Sequence, residues 1–285
     1  MDEILEKRYS EILAGIDPSF LDPKAAEVRR LSTPFLVSGP EDPDARRIMV
    51  IGREFGGKGW IVPHEGDGAA AYVTKALSKH RNFFDKWIEK GPDRGRTFFN
   101  FMRDLAKSFG AEGLIYSNLL CIDSRGKAPT KSKYFPEIKD LSKRLLDVQI
   151  DHFKPDVIIF ANGTSGEQIR ARREFFPMKG RERVFVSRRT WEEVGIQRGQ
   201  LEEFELYGKF LCYRIQHPSA QSKASMAARR HLLEVLAQTL PQERLVTASV
   251  TGAGGSLTSH TNHETTRTDK ARSVAPGTGT FSPQA

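Results

Sequence analysis

Cysteine is scarce in this 285-residue chain, which contains two, Cys121 and Cys212. Two cysteines do not indicate a disulfide-rich scaffold. They also exclude a zinc site made of four cysteines and an iron–sulfur cluster held by four thiolates of one chain. His260 and His263 are too isolated from other metal ligands to form a site. We therefore expect neither a bound metal nor a cofactor.

Long hydrophobic runs are absent as well. The mean hydropathy is −0.47, and no apolar run approaches the roughly 18 residues that a membrane span needs. The first residues, MDEILEKRYSEIL, are charged and lack the apolar stretch and cleavage site of a secretory signal. The sequence thus predicts a soluble, cytoplasmic protein with no membrane partner.

The chain has an excess of positive charge. It contains 44 Lys and Arg residues and 36 Asp and Glu residues, which gives a net charge of +8. Residues 246–285 carry a net +1, so a charge of +7 remains on the rest of the chain. A basic surface favours a polyanionic partner, which makes DNA a candidate. The alternative is a basic protein that has no such partner.

Short apolar runs separated by helical patterns indicate the fold class. Buried strands are predicted at residues 47–52, 113–118 and 156–161. Residues 204–207 and 209–215 predict either a hairpin or an edge strand followed by the fourth core strand. Strands that alternate with helices favour an α/β fold, namely a three-layer α/β/α arrangement around a mostly parallel four-stranded sheet.

Composition divides the chain into three segments. Residues 1–44 combine prolines with helical patterns and predict an N-terminal helical extension, and residues 45–245 hold the predicted α/β domain. From residue 246 onward Ser, Thr, Gly, Ala and Pro dominate. Such a segment buries too little apolar surface to offset the entropy of ordering, so we predict a disordered tail over residues 246–285.

The loops that follow the strands are where a site is expected. In open parallel sheets, ligands bind beyond the carboxyl ends of the strands. The corresponding loops here are residues 53–60, 118–124, 162–166 and 217–222.

These loops resemble, in the same order, the motifs of the uracil-DNA glycosylase superfamily. Gly52-Arg53-Glu54-Phe55 resembles the first motif, of which GQDPY, GMNPG and GEAPG are common forms. Gly113-Leu-Ile-Tyr-Ser-Asn118 is similar to the LLLN or YITN strand, and Lys154-Pro-Asp-Val-Ile-Ile-Phe-Ala161 to KPDVVVALG. His217-Pro-Ser-Ala-Gln-Ser222 resembles HPSPLS. The resemblance covers roughly residues 45–240.

The resemblance implies roles for the residues at the base. Asn118 would read the pyrimidine edge with its amide, and Phe55, together with Trp60, would offer stacking surface. His217 would stabilise the negative charge on the departing base. Glu54 would orient water and stabilise the sugar cation. Asn118 could instead cap a turn, and Glu54 could instead be solvated or pair with Arg53. For Phe55 and Trp60, packing in the core is the alternative.

The resemblance also implies contacts between the last motif and DNA, through Ser219, Gln221, Ser222 and Lys223. For the two serines, N-capping of the following helix is an alternative. Gln221 occupies the place of the family's apolar wedge, which weakens action on duplex DNA and favours single-stranded or unpaired sites.

Three functions stay open from the sequence. The first is a monomeric DNA glycosylase that excises uracil or a related damaged base in DNA repair. The second is a base- or nucleic-acid-binding protein on the same fold with impaired catalysis. The third is a nucleotide-binding α/β protein whose glycines, Gly52, Gly56, Gly57 and Gly59, approach a phosphate, although their spacing is not G-x-G-x-x-G.

Overall fold

The computed structural model describes residues 2–40, 42, 44–54, 59–64, 66, 68–92, 97–163, 166–181 and 183–240. Phe55, with its predicted stacking role, lies outside the described residues. So does the segment 246–285, whose disorder stays a prediction.

The described chain forms an α/β structure with one six-stranded mixed sheet in the order β2-β1-β3-β6-β5-β4. The strands are β1 Ile48–Gly52, β2 Leu114–Asn118, β3 Val157–Phe160, β4 Phe185–Thr190, β5 Leu201–Leu206 and β6 Phe210–Ile215. The helices are α1 Glu3–Ala14, α2 Pro23–Arg29, α3 Gly68–Glu89, α4 Thr97–Phe109, α5 Phe135–Phe153, α6 Glu167–Phe175 and α7 Lys223–Thr239.

The sheet is larger than the four strands predicted from the sequence. β2, β1, β3 and β6 run parallel to one another, whereas β5 pairs antiparallel with both β6 and β4. The turn between β5 and β6 is a hairpin in which Tyr207 and Gly208 both have positive φ, of 57° and 63°. Two such residues match the right-handed twist of the flanking strands. The hairpin alternative is therefore the one that the structure adopts.

Apolar side chains predominate in the first three parallel strands, which are fully buried. Every residue of β1, β2 and β3 is buried, as expected for strands covered on both faces. β4, by contrast, is mostly exposed after Phe185, which fits an edge strand rich in charged residues. Among the described helices, none combines the length and the apolar character that crossing a bilayer requires.

The N-terminal segment shares the hydrophobic core of the sheet. α1 buries Leu5, Tyr9 and Leu13, contacts α3 and α5, and places the Tyr9 hydroxyl 3.1 Å from the Val37 carbonyl, to which it donates. After α2, residues 32–35 run beside the segment that follows β2, where the Ser32 N–H donates to the Asp123 carbonyl at 2.8 Å. This pairing carries the end of α2 to the carboxyl edge of the sheet.

Candidate nucleic-acid-base site

A cavity of about 1090 Å³ lies at the carboxyl ends of β1 and β2. One part of it, the sheet-edge part, is built by the strand ends, the first turn of α4 and the segment after β6. The other part, the outer part, is built by the end of α2 and the loop 124–132. The cavity brings together four residues predicted from the sequence, which are Glu54, Asn118, His217 and Ser219.

Asn118 ends β2 and presents an unsatisfied acceptor. The residue is 6% exposed. Its Nδ2 donates to the Tyr116 hydroxyl at 3.1 Å, while its Oδ1 is buried and has no hydrogen-bond partner within the described part of the chain. Leaving a buried acceptor unpaired costs about 1–3 kcal/mol. A donor N–H of a ligand could satisfy this acceptor.

Gly52 makes room for the Asn118 amide. It faces Asn118 in the parallel register, and a Cβ built on Gly52 would lie 2.6 Å from Asn118 Oδ1 and 3.3 Å from Cε2 of Phe98. The glycine that ends β1 therefore permits close approach of two side chains that line the cavity.

His80 holds β2 in place behind the cavity. It is fully buried at 2% exposure, accepts the Ser38 N–H at Nδ1 over 3.1 Å, and donates from Nε2 to the Tyr116 carbonyl over 3.0 Å. Burial lowers the pKa of His80 to about 3, so the ring is neutral at physiological pH. The two bonds attach β2 to the N-terminal segment just before Asn118.

His217 follows β6 and has a defined tautomer. Its Nδ1 accepts the Ser219 N–H at 3.2 Å and lies 2.7 Å from Ser219 Oγ. Because a backbone N–H can only donate, Nδ1 is the acceptor and the neutral ring carries its proton on Nε2. Burial, with a smaller effect of the Arg53 and Arg229 charges, lowers the pKa of His217 to about 4. The ring is thus a neutral hydrogen-bond donor.

Glu54 supplies the acid of the cavity. Its side chain is 8% exposed, and its Oε1 lies 3.7 Å from Nη2 of Arg53. Burial is the main reason why the pKa of Tyr116 is raised, and the negative charge of Glu54 adds to this effect. Glu54 therefore pairs with Arg53, which was one of the alternatives from the sequence. Glu54 also lines the cavity.

Phe98 is the aromatic side chain that the sequence did not single out. It lies in the first turn of α4, half-buried, stacked on His217 with ring centroids 5.8 Å apart and an interplanar angle of 30°. Trp60, by contrast, lies in the core at 1% exposure, edge-on to Phe35 at 4.9 Å. Sequence offers one signal for Phe98, the pair of phenylalanines that opens a helical pattern.

The rest of the last motif lies away from the cavity lining. Ser222 caps α7 by accepting the Ser225 N–H at 3.1 Å, which is the capping alternative. Gln221 is exposed and donates from Nε2 to the Pro218 carbonyl at 3.0 Å. Lys223 is the exposed first residue of α7. Contacts of these three residues with DNA stay predictions.

Positive charge surrounds the cavity. Among the described residues that line it, one is acidic, Glu54, and five are basic: Arg29, Arg30, Arg53, Lys127 and Lys131. The arginine-rich stretch after β3 is placed differently, since Arg188 pairs with Glu205 and Arg172 is buried at 5% exposure. The described residues contain no cluster of three or more His, Cys, Asp or Glu able to hold a metal ion.

The sequence matches no protein-family model and no curated protein. The chemistry of the cavity is therefore what indicates a function.

Proposed function

We propose that the protein is a DNA glycosylase-type hydrolase that cleaves the N-glycosidic bond of uracil or a related damaged base. The observation that carries this proposal is the buried, unpartnered Oδ1 of Asn118, in one cavity with the neutral donor of His217 and the carboxylate of Glu54. An acceptor, a donor and an acid are the groups that recognition and release of a pyrimidine base require.

Recognition follows from the hydrogen bonds still open at Asn118. The N3–H of uracil donates to Oδ1, and the second hydrogen of Nδ2 is available for the neighbouring O4. Tyr116, which already accepts from Nδ2, keeps the amide in this orientation. Cytosine carries an acceptor at N3 and a donor at the neighbouring position, so the same orientation rejects it. Phe98 offers the flat surface on which the base stacks.

The reaction is a hydrolysis. As the bond between C1′ of the sugar and N1 of the base breaks, its electron pair leaves with the base. Nε2–H of His217 donates to the base oxygen, where negative charge collects. The carboxylate of Glu54 stabilises the positive charge at C1′ and orients the water that adds there, and the water proton ends on the released base or in solvent.

We also propose the three-layer arrangement of the uracil-DNA glycosylase superfamily for the fold. β1 lies between β2 and β3. The chain passes from β1 to β2 through α3 and α4, and it returns across β1 to β3 through α5, so these two connections run in opposite directions along the sheet. Parallel crossovers are right-handed in almost all proteins. The two connections therefore cover opposite faces of the sheet.

DNA is the proposed partner, bound by a monomer, with single-stranded or unpaired sites preferred. Gln221, in the place of an apolar wedge, is exposed and bonded to its own loop. A polar side chain at that position pushes a base out of a duplex poorly, whereas a base in a single strand needs little unstacking energy.

A second candidate is a base-binding protein on the same fold with impaired catalysis. The observation that favours it is the approach of Arg53 to Glu54, 3.7 Å from Nη2 to Oε1. A guanidinium at this distance offsets part of the carboxylate charge that the sugar cation would need. This candidate binds uracil-containing strands and releases no base.

Substitution of the pocket residues tests the proposal. Asn118→Ala and His217→Ala should each lower the single-turnover excision rate by roughly ten- to thousand-fold, because both groups act as the bond breaks. Binding of the oligonucleotide, measured by fluorescence anisotropy, should stay near the wild-type value, since phosphate contacts dominate affinity. His152→Gln, a histidine substitution on α5 outside the cavity, is the control. Normal excision by both alanine variants would refute the assignment.

A further inference from the structure

The cavity is too large for a base alone. Its volume of about 1090 Å³ is slightly above the roughly 300–1,000 Å³ typical of sites for drug-sized ligands. A base against Asn118 and Phe98 fills the sheet-edge part. The outer part, between the end of α2 and the loop 124–132, remains for another portion of the ligand.

Arg29 is fixed in this outer part. Its Nη2 pairs with Asp17 at 3.1 Å and its side chain is 17% exposed. The guanidinium carbon lies 4.4 Å above the centre of the Tyr134 ring. Its Nη1 is buried and has no hydrogen-bond partner among the described residues. The carboxylate and the ring fix the position of this guanidinium, and Nη1 is still able to donate a hydrogen bond. Such a guanidinium is preorganised to bind an oxyanion.

Three further cations line the same cavity as Arg29, namely Arg30, Lys127 and Lys131. All three are exposed. Within the part of the chain that the structure describes, no carboxylate lies within 4.0 Å of their charged nitrogens. Like charges repel, so a group of cations that lacks its own acid favours an anionic ligand.

The two segments that carry these cations are held together. Ser124 Oγ donates to the Arg30 carbonyl at 3.0 Å. Asp123, buried after β2, accepts the Gly126 N–H at 2.5 Å and the Trp60 N–H at 3.3 Å. Gly126 has a φ of 78°, which bends the loop back toward the end of α2. The four cations therefore belong to one structural unit of the cavity.

We infer that Arg29, Arg30, Lys127 and Lys131 form a phosphate subsite, which holds a phosphate group of the nucleotide whose base lies against Asn118. The inference rests on the proposed function, because it takes the ligand to be a nucleotide. The phosphate belongs either to a free deoxynucleotide or to a single strand of DNA. Both sources present the same oxyanion to the same side chains.

Binding measurements separate phosphate recognition from base recognition. We suggest three probes, which are deoxyuridine, deoxyuridine 5′-monophosphate and a fluorescent single-stranded pentanucleotide containing one uracil. The test variant combines Arg30→Gln, Lys127→Gln and Lys131→Gln, all exposed positions whose loss leaves the core intact. Lys133→Gln is the matched control, since Lys133 is exposed directly after this loop and is not part of the cavity lining.

The triple variant should weaken binding of at least one phosphate-bearing probe by about ten-fold or more, while deoxyuridine binds as to the wild type. For the pentanucleotide, the slope of log affinity against log salt should fall by about 2, at roughly 0.7 for each lost contact. Loss for the mononucleotide alone identifies a free nucleotide as the ligand, and loss for the pentanucleotide alone identifies a strand phosphate. Equal losses for deoxyuridine, or changes no larger than those of Lys133→Gln, overturn the subsite.

Failure of the subsite and failure of the glycosylase proposal give different results. If the wild-type protein binds phosphate-bearing probes through these cations but releases no base, the subsite stands and the chemistry fails. If the protein releases base and the triple variant keeps the wild-type KM for a uracil-containing strand, the chemistry stands and the subsite fails.

Discussion

The contact between Gly52 and Asn118 allows a sharp test of base recognition. A Cβ on residue 52 would lie 2.6 Å from Asn118 Oδ1, and Cβ atoms essentially never approach other atoms closer than 3.0 Å and seldom closer than 3.4 Å. In Gly52→Ala the amide oxygen must therefore move by about 0.4–0.8 Å. Phe98, 3.3 Å from the same Cβ, hinders an escape on its side.

A shift of this size has a predictable effect on rate. Misplacement of a reacting group by about 1 Å can lower a rate about 100-fold, so we expect Gly52→Ala to excise uracil about 10- to 100-fold more slowly than the wild type. Overpacking at a buried strand end should also cost about 1–3 kcal/mol of stability. The Tm of the variant reports this cost separately, so that the rate is measured well below the unfolding transition.

A double-mutant cycle shows whether the effect passes through Asn118. The single-turnover excision rate is measured for Gly52→Ala, Asn118→Ala and the double variant with enzyme in excess. Once the amide has been removed, the added methyl group should change the rate by less than about three-fold, because the two changes share one contact. An equal loss in both backgrounds, or a wild-type rate for Gly52→Ala, would show that the methyl group does not act through the Asn118 amide.

Three further predictions concern other groups of the site. Tyr116→Phe removes the acceptor that orients Asn118, a bond worth about 0.5–1.5 kcal/mol, so discrimination between uracil and cytosine strands should fall by about 2- to 10-fold in a competition assay. His80 and His217 have pKa values of about 3 and about 4 in the fold, below the ordinary value of about 6.5. The free energy of unfolding that these two neutral rings contribute is therefore fully present above about pH 6.5. It is lost as the pH falls toward 4 for His217 and toward 3 for His80. The urea midpoint should drop from pH 7 to pH 5 by less in a His80→Gln variant, and an undiminished drop would contradict this assignment. Ser222→Ala removes the cap of α7 and should cost about 0.5–2 kcal/mol of stability, with the excision rate of the folded protein unchanged; a slower rate would place Ser222 in the site.

The first three parallel strands were predictable because short, mainly apolar runs that lie between helical patterns indicate buried strands. Residues 47–52, 113–118 and 156–161 were expected, and the strands are Ile48–Gly52, Leu114–Asn118 and Val157–Phe160. The six-stranded extent of the sheet was not predicted. β4 and β5 mix charged and apolar residues, and a pattern of this kind does not say whether a strand joins the main sheet.

Part of the cavity followed from topology and part did not. Asn118 ends β2 and His217 follows β6, both strands of the parallel part of the sheet, so their position at one edge follows from the fold class. Phe98 reaches the cavity only because α4 packs its first turn beside Tyr116, 5.3 Å between ring centroids. Arg29 lies at the cavity because residues 32–35, which follow α2, pair with the segment after β2. Such long-range packing leaves no local signal in the sequence.

Release of uracil from a single strand is the most direct test of whether the protein is a glycosylase. Wild-type protein in excess is mixed with a single-stranded oligonucleotide that contains one labelled uracil, and Asn118→Ala is run in parallel. We predict that abasic sites form in a single turnover, at a rate that depends on Asn118. Absence of base release from single-stranded and mismatched uracil substrates, with binding retained, would contradict a glycosylase and leave a base-binding protein.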